Sequence, residues 1–522
     1  MNIPTLIAKG AKYYSDRTAI VFGEKRFTFR EVNERANRLA NGLLSLGVKK
    51  GDRVASLSRN CHQHIEIVFA RHKIGAVEVN LNPRLSPGEI AWQLNDSKTE
   101  TLFVASEFLE KVRPILSSCR GIKHRIGLSG ASGQEIDYEE LIRSGSPEAP
   151  PVIETELYGE GIGAITYTAG TTGRPKGIVW TRKSVWTVAR NLLLDMIPDL
   201  SSEDIFLGLQ PLYHAVGWFI LPCWLRGVTH VIVPEFHNEI AMETIEKEKV
   251  TVIKTVPTVL VRMVAHPDIR KRNLQSVRTI IYGASPMPVE PLRQAIEIFG
   301  PVFIQNYGQS EAPMTICLLG KKDHVLEGDA ERTARLASVG RPYTLVEVRV
   351  VNENGKDVPV GEVGEVIVRG DHLMTEYWQL PQETEEAFKD GWLYTRDMAK
   401  VDKDGYIFLV DRKSEMIISG GLNIYPNEVE QVLYQHPAIL EAAVFGVPDK
   451  EWGEAVKAVV ALKPGRNSTE QEIVDFCKNH LAPYKKPKTV DFTPSLPKSP
   501  EGKVLRRVLR EPYWKGHERR IH

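Results

Sequence analysis

Strand-like and helix-like segments alternate along the chain from residue 17 to residue 307, and this alternation constrains the fold more than any other feature. Residues 17–22 read as a strand. Residues 29–46 then place Val32, Ala36, Leu39, Leu43 and Leu46 at helical spacing, with Gly47 closing the helix. A strand at 53–57, a helix at 63–74 and a strand at 76–81 follow. Further strands are expected at 229–233, 250–255, 277–282 and 301–307, with amphipathic helices at 239–247 and 289–299. A helix between two strands returns the chain in its starting direction, so the pattern predicts an α/β fold of parallel, helix-covered sheets. From about residue 338 the rhythm changes. Residues 344–351 and 365–369 alternate like half-buried antiparallel strands, with turns at Asn352-Glu-Asn-Gly and Pro359-Val-Gly. A small β-barrel-like subdomain is therefore expected over 336–412. Beyond Arg412 a compact α+β tail is expected, with helices at 426–434 and 471–480 and strands at 441–445 and 455–462. Ser468-Thr-Glu-Gln471 gives a capping-box pattern for the second helix. The expected division is a large N-terminal domain, 1–412, and a C-terminal domain, 413–522.

Composition narrows the function classes. The 522 residues carry a net charge of +1, so no global field draws the chain to nucleic acid or anionic lipid. Five cysteines are scattered without a Cys-x-x-Cys pair, which argues against a disulfide framework and a zinc site. No uncharged apolar run reaches 18 residues, so no membrane span is expected. The start lacks the basic residues and apolar core of a signal peptide, and the cytoplasm is the expected compartment.

The chemistry centres on Thr166-Tyr-Thr-Ala-Gly-Thr-Thr-Gly-Arg-Pro-Lys-Gly177, which follows an apolar run read as a buried strand. Gly170 and Gly173 let backbone N–H groups approach phosphate oxygens. Thr168, Thr171 and Thr172 offer hydroxyls, and Arg174 and Lys176 add positive charge. The spacing is not that of a Walker A loop. The segment resembles the phosphate loop of the adenylate-forming superfamily, which includes acyl-CoA synthetases, peptide-synthetase adenylation domains and firefly-type luciferases. Ala169 stands where that family usually has Ser.

Further segments resemble the family's motifs in the family's order. Tyr307-Gly-Gln-Ser-Glu-Ala312 is similar to its aromatic-Gly-x-Thr-Glu motif. The resemblance implies that Tyr307 stacks on adenine, Asn306 meets its amino edge, Ser310 bonds the α-phosphate, and Glu311 with Thr168 holds Mg²⁺. Alone, this stretch reads equally as a helix cap. Tyr282-Gly-Ala-Ser-Pro286 resembles the adenine and acyl floor, with Gly283, Ala284 and Ser285 allowing close approach. Tyr394-Thr-Arg-Asp397 is similar to Tyr-x-Thr-Gly-Asp, with Arg396 in the glycine position. Asp397 and Arg412 would reach the ribose. Lys413 and Ser414 occupy the family's hinge.

Pro497-Lys-Ser-Pro-Glu-Gly-Lys503 resembles the motif that presents a catalytic lysine, and Lys503 would bridge the attacking carboxylate and the α-phosphate. On the acyl side stand His214 and Trp218 in Pro211-Leu-Tyr-His-Ala-Val-Gly-Trp218, together with Ala284, Gly308 and Met314. Taken alone, His214 and Trp218 read as core residues. Gly420 and Gly421 resemble the segment that lets CoA pantetheine pass. The basic run 485–488 either meets the CoA phosphate or is a solvated face.

The resemblance implies ATP, Mg²⁺, coenzyme A and a carboxylic acid as ligands, and an acyl-CoA synthetase acting through an acyl-adenylate on a fatty or aromatic acid. A homodimer stays open. Two alternatives remain at this level: an enzyme loading a carrier-protein phosphopantetheine, and a non-catalytic ATP-binding scaffold.

Overall fold

The computed structural model describes residues 2–128, 135–151, 161–168, 175–328, 330–499 and 502–515. Two large sheets form its body. The first has nine strands in the order Arg341–Pro342, Cys317–Leu319, Phe303–Tyr307, Thr279–Gly283, Val252–Thr255, Ile205–Gly208, Thr229–Ile232, Thr18–Phe22, Lys25–Thr28. From Phe303–Tyr307 to Thr18–Phe22 every pairing is parallel. The edges are antiparallel, which the strand–helix rhythm did not predict. At one of them the cause is local: Thr18–Phe22 turns through Gly23 (φ 59°) straight into Lys25–Thr28, with no helix to carry the chain back.

The second sheet has eight strands and runs from Ile136–Asp137 to Ile162–Thr168 in parallel. Lys176–Thr181 and Glu376–Tyr377 then add antiparallel strands. Helices and side chains of both sheets share one core. Ile20, Val252, Ile281 and Ile304 of the first sheet meet Ala164, Ile178 and Trp180 of the second in the same buried cluster.

Local chemistry sets the helix ends. Phe29–Ser45 starts at Thr28, whose hydroxyl accepts from the Glu31 N–H while Glu31 accepts from the Thr28 N–H. Its inward stripe is Val32, Ala36, Leu39 and Leu43, all buried. Burying each leucine contributes roughly 1.5–3 kcal/mol relative to exposure.

The β-rich subdomain joins Glu347–Val351, Gly364–Arg369, Trp392–Val401 and Phe388–Lys389, with Ile407–Arg412 also paired to Trp392–Val401. It is an open sheet and not a closed barrel.

In the tail, Ile439–Asp449 and Gly453–Leu462 form a long hairpin, with Ile417–Ser419, Leu422–Ile424 and Thr489–Phe492 completing the sheet. Pro426–Leu433 and Glu470–His480 pack on it around a separate core of Ile417, Val429, Leu433, Val444, Val460 and Ile473. The capping box of the second helix lies one residue later than the sequence pattern suggests. Thr469 is the cap, bonded reciprocally with Glu472. Ser468 reaches the same Glu472 carboxylate from outside the helix, at 3.1 Å. Among the described residues, no helix is long and apolar enough to cross a membrane.

Candidate active site

Three parallel strands end together. Val252–Thr255, Thr279–Gly283 and Phe303–Tyr307 are in a register that sets Thr255 beside Tyr282 and Gly283 beside Asn306. Open parallel sheets bind ligands at this kind of edge. The backbone beyond the strand ends is bent into unusual conformations. Ala284 has φ 73° and Met314 φ 60°, values that side chains other than glycine adopt at a cost. Gly308 could not carry a side chain: its Cβ would stand 2.5 Å from the Met314 nitrogen and 2.9 Å from the Ala312 oxygen. The loop after Tyr307 is therefore folded back tightly on itself. It brings Gly308, Met314 and Ala284, expected on the acyl side, to one end of the sheet.

Asp397 joins the β-rich subdomain to this edge. Its Oδ2 accepts from the Tyr307 hydroxyl at 2.6 Å, and its Oδ1 accepts from Arg412 Nε at 3.2 Å. Asp397 and Arg412 are direct register partners on neighbouring strands. Burial, reinforced by the Asp397 charge, pushes the Tyr307 hydroxyl well above its usual pKa. The same carboxylate raises Arg412 further. Tyr307 is 7% exposed and anchored at its hydroxyl. Arg396, in the position the family gives to glycine, has φ 62°. Its backbone adopts the left-handed turn that glycine usually supplies, held by an Arg396 N–H bond to Glu365 and by the Lys413 N–H on the Arg396 carbonyl. Lys413, the first of the two expected hinge residues, is thus tied to the strand carrying Asp397.

The second sheet contributes residues that contact the loop after Tyr307. Thr168 and Lys176 face each other across the hairpin Ile162–Thr168/Lys176–Thr181. Gly170, Thr171, Thr172, Gly173 and Arg174 lie outside the described residues. Lys176 Nζ sits 4.8 Å from the centre of the Tyr377 ring, and the Tyr377 hydroxyl donates to Glu311 Oε1 at 2.9 Å. The other oxygen, Oε2, has no hydrogen bond among the described residues. Trp180 Nε1 donates to the Ser310 carbonyl at 2.9 Å, and the Trp180 ring packs edge-on against Trp218 with centroids 4.8 Å apart. His214 caps the start of the short 3₁₀ turn Ala215–Phe219 and Trp218 lies within it, and both are half-buried. Asn306 turns its amide inward: Nδ2 donates to the Met314 carbonyl at 3.3 Å, and Oδ1 accepts from Lys254 at 3.3 Å.

The tail closes over the strand ends. The Gly502 carbonyl accepts from the Thr258 hydroxyl at 2.8 Å, and Thr258 lies in the first turn of the helix Pro257–Val264, just beyond the strand Val252–Thr255. Gly502 has φ 87°, and a Cβ there would press on Thr258 and Val256 at 2.8 and 3.1 Å. The bond from Ser499 N–H to the Lys503 carbonyl closes the turn that carries Lys503. Gln431 bonds the Val289 N–H and the Met287 carbonyl, and Arg262 lies 3.5 Å from Glu441.

Gly420 (φ 59°) and Gly421 (φ 79°) form the turn of the hairpin Ile417–Ser419/Leu422–Ile424, where Gly420 packs on Trp452 of the tail itself. Of the basic run, Lys485 pairs with Glu428 and Lys488 with Asp449.

Sequence motifs did not single out Tyr377, Trp180 or Lys254. The first two lie in no motif quoted above. A lysine inside the strand Val252–Thr255 was a visible anomaly, because charged residues are rarely fully buried.

The chain is similar to known proteins over almost its whole length. Residues 7–378 match the family model described as AMP-binding enzyme, and residues 428–503 match the AMP-binding enzyme C-terminal domain, whose last matched residue is Lys503. The chain is 37% identical to a feruloyl-CoA synthase of Amycolatopsis sp, over 94% of this chain and 95% of that protein. It is 33% identical to the medium/long-chain-fatty-acid–CoA ligase FadD8 of Mycobacterium tuberculosis, over 99% and 91%. The crystal structure of the anthranilate CoA ligase AuaEII in complex with anthranoyl-AMP superposes with a TM-score of 0.90 at 28% identity, covering 98% of this chain and 97% of that one. The chain belongs to the adenylate-forming AMP-binding enzymes, and within them to the acid–thiol ligases.

Proposed function

We propose that this chain couples a medium- or long-chain fatty acid, or an aromatic carboxylic acid, to coenzyme A in two steps at the edge described above. The observation that carries the reading is the seating of the Lys503 turn against Thr258, beside the strands that end in Gly283 and Tyr307.

A carboxylate is a poor acyl donor, because its charge repels nucleophiles and oxide leaves badly. In the first step a carboxylate oxygen attacks the α-phosphorus of ATP. The bond from that phosphorus to the bridging oxygen breaks, and pyrophosphate leaves with the electron pair. Two anions meet in this step, so cations and oriented donors must hold them. Lys503 supplies a mobile ammonium between the carboxylate and the α-phosphate. Lys176, Thr168 and the loop 170–173 receive the other phosphates, and Ser310 meets the α-phosphate. Adenine rests against Tyr307 above Gly283, Ala284 and Ser285, with Asn306 below them. Asp397 and Arg412 take the ribose hydroxyls.

Glu311 and Thr168 would hold Mg²⁺. One carboxylate with an unbonded oxygen suits an ion that keeps waters and phosphate oxygens as its remaining ligands. Bound there, the ion would neutralise phosphate charge. His214, Trp218, Ala284, Gly308 and Met314 line the acyl side.

In the second step the CoA sulfur attacks the acyl carbon, the bond to the AMP oxygen breaks, and AMP leaves. The Lys503 turn must first withdraw. The tail from Lys413 onward rotates about Lys413 and Ser414, and the Gly420-Gly421 turn takes its place beside the acyl group. The arrangement described here is the one suited to the first step.

The test separates the two steps. Lys503→Ala should lower acyl-AMP formation, followed by pyrophosphate release, by about 10²–10³-fold, the usual cost of one transition-state donor. It should leave thioester formation from supplied acyl-AMP nearly unchanged. Equal losses in both steps would contradict the assignment. AMP release over aliphatic and aryl acids, with CoA or a holo carrier protein as acceptor, identifies the acid and the thiol.

A further inference from the structure

The strand Val252–Thr255 reads Val-Ile-Lys-Thr and is buried along its length. Lys254 is fully enclosed, with 0% exposure. Its ammonium donates to two neutral oxygens, the Thr255 carbonyl at 3.1 Å and Asn306 Oδ1 at 3.3 Å. Among the described residues no carboxylate forms an ion pair with it. An ammonium has three donors, so among the described residues one lacks an acceptor. A leucine here would avoid that cost, because an unpaired buried ammonium is expensive. Packing therefore gives no reason for a lysine at this position.

Its location does give one. Strand alternation puts Lys254 on the same face as Val252, in the cluster that holds Ile281, Ile304, Met314, Ala215 and Val216, with Trp218 packed against it. That is the acyl side of the sheet. The opposite face carries Ile253, Tyr282 and Phe303 under the outer helices. Asn306 links Lys254 to the acyl wall, since its Nδ2 donates to the Met314 carbonyl and lies 3.7 Å from the Met314 sulfur. A Cβ at Gly283 would stand 2.7 Å from Asn306 Oδ1, so the pair lies directly behind the floor glycine.

We propose that Lys254 is a specificity-determining residue that, with Asn306, reads an oxygen acceptor carried by the acid away from its reacting carboxylate: a hydroxyl, carbonyl or second carboxylate oxygen. This rests on the acyl-CoA ligase reading above. The remote oxygen supplies the acceptor that the third donor lacks, and a plain hydrocarbon end leaves it unmet. Burial alone lowers Lys254 to about 7, so the ammonium is only partly protonated near neutrality. An anionic remote group would draw the proton back and bind better as pH falls through that value.

Matched acids test the proposal: cinnamic against 4-hydroxycinnamic acid, and octanoic against octanedioic acid, each assayed by AMP release. In at least one pair the wild-type enzyme should prefer the oxygenated acid. Lys254→Met should reduce that preference about tenfold or more, the worth of one hydrogen bond to a charged donor. The loss should appear in KM for the oxygenated acid rather than in kcat. Lys254→Gln, which keeps a neutral donor, should restore discrimination for the hydroxyl but not for the second carboxylate.

A wild-type enzyme that activates the plain acids and prefers neither oxygenated one would overturn the proposal. So would a Lys254→Met enzyme with an unchanged ratio. An enzyme that releases AMP with no acid of a broad panel would instead remove the ligase reading beneath it. Should Lys254→Met not fold, Lys254→Gln alone decides through its split between hydroxyl and carboxylate.

Discussion

Lys254 makes a stability argument as well as a specificity argument. The unfolded lysine keeps its proton up to about 10.5, while burial makes the folded one release it near 7. Between those values the unfolded chain binds more protons, so this residue makes stability rise with pH across that window. Below about 7 the full penalty of a buried charge applies. Lys254→Met should therefore melt higher than wild type at pH 6, by roughly 1–3 kcal/mol of stability, the range seen when buried ions are replaced by apolar groups. The gain should shrink as pH approaches 10. A Tm difference that is constant from pH 6 to pH 10 would mean the lysine is not buried as a charge. Arg396 shows the opposite case, in which a residue that breaks the family pattern still takes the left-handed backbone that suits glycine. It adopts φ 62° where glycine is usual, and Glu365 and Lys413 hold it there.

At the level of elements, the turn after Phe303–Tyr307 brings Gly308 and Met314, proposed for the acyl side, to the strand end that carries Tyr307, proposed for adenine. Gly308 sits against the backbone of Met314 and Ala312, and backbone moves less readily than a side chain tip. Gly308→Ala should cost about 1–3 kcal/mol, the usual price of overpacking. It should also displace Met314 and so raise KM for the acid. A thermal melt and acid kinetics on the same variant check both effects, and an unchanged Tm would show that the turn relaxes freely. The strand pairing that sets Asp397 opposite Arg412 has the same character. The carboxylate is positioned by two neighbouring strands and by the Tyr307 hydroxyl from a third. That binds the β-rich subdomain to the large sheet at the site itself.

For the whole molecule, the question is how firmly the tail is seated. The contacts are mostly polar: Thr258 to Gly502, Gln431 to Val289 and Met287, Arg262 to Glu441, and Asn427 to Asp411, while Leu440 packs against the body's apolar cluster around Val261. The tail has its own apolar core, so parting from the body would uncover Leu440 and its neighbours but leave that core intact. Arg262→Glu would set a negative charge against Glu441 and weaken the docking. Acyl-AMP formation should fall about tenfold, the effect of roughly 1.4 kcal/mol. Thioester formation from supplied acyl-AMP should fall less. Single-turnover measurements of each step decide it, and an equal loss in both would mean the docked tail serves neither step in particular.

The sequence by itself determined the α/β character, the change to antiparallel strands beyond residue 338, the separate tail, and the family, because periodicity and motif spacing are local properties of the chain. The motifs also located most of the candidate residues, although nothing in a motif says which way a side chain turns. Only the tertiary structure decided that Asn306 faces Met314 and Lys254, that Asp397 is held by Tyr307 and Arg412 together, and that Tyr377 joins Lys176 to Glu311. It also decided the antiparallel sheet edges and the seating of the Lys503 turn on Thr258. These contacts join residues from distant parts of the chain, and strand register, burial and the path of the backbone fix them rather than any short stretch of residues.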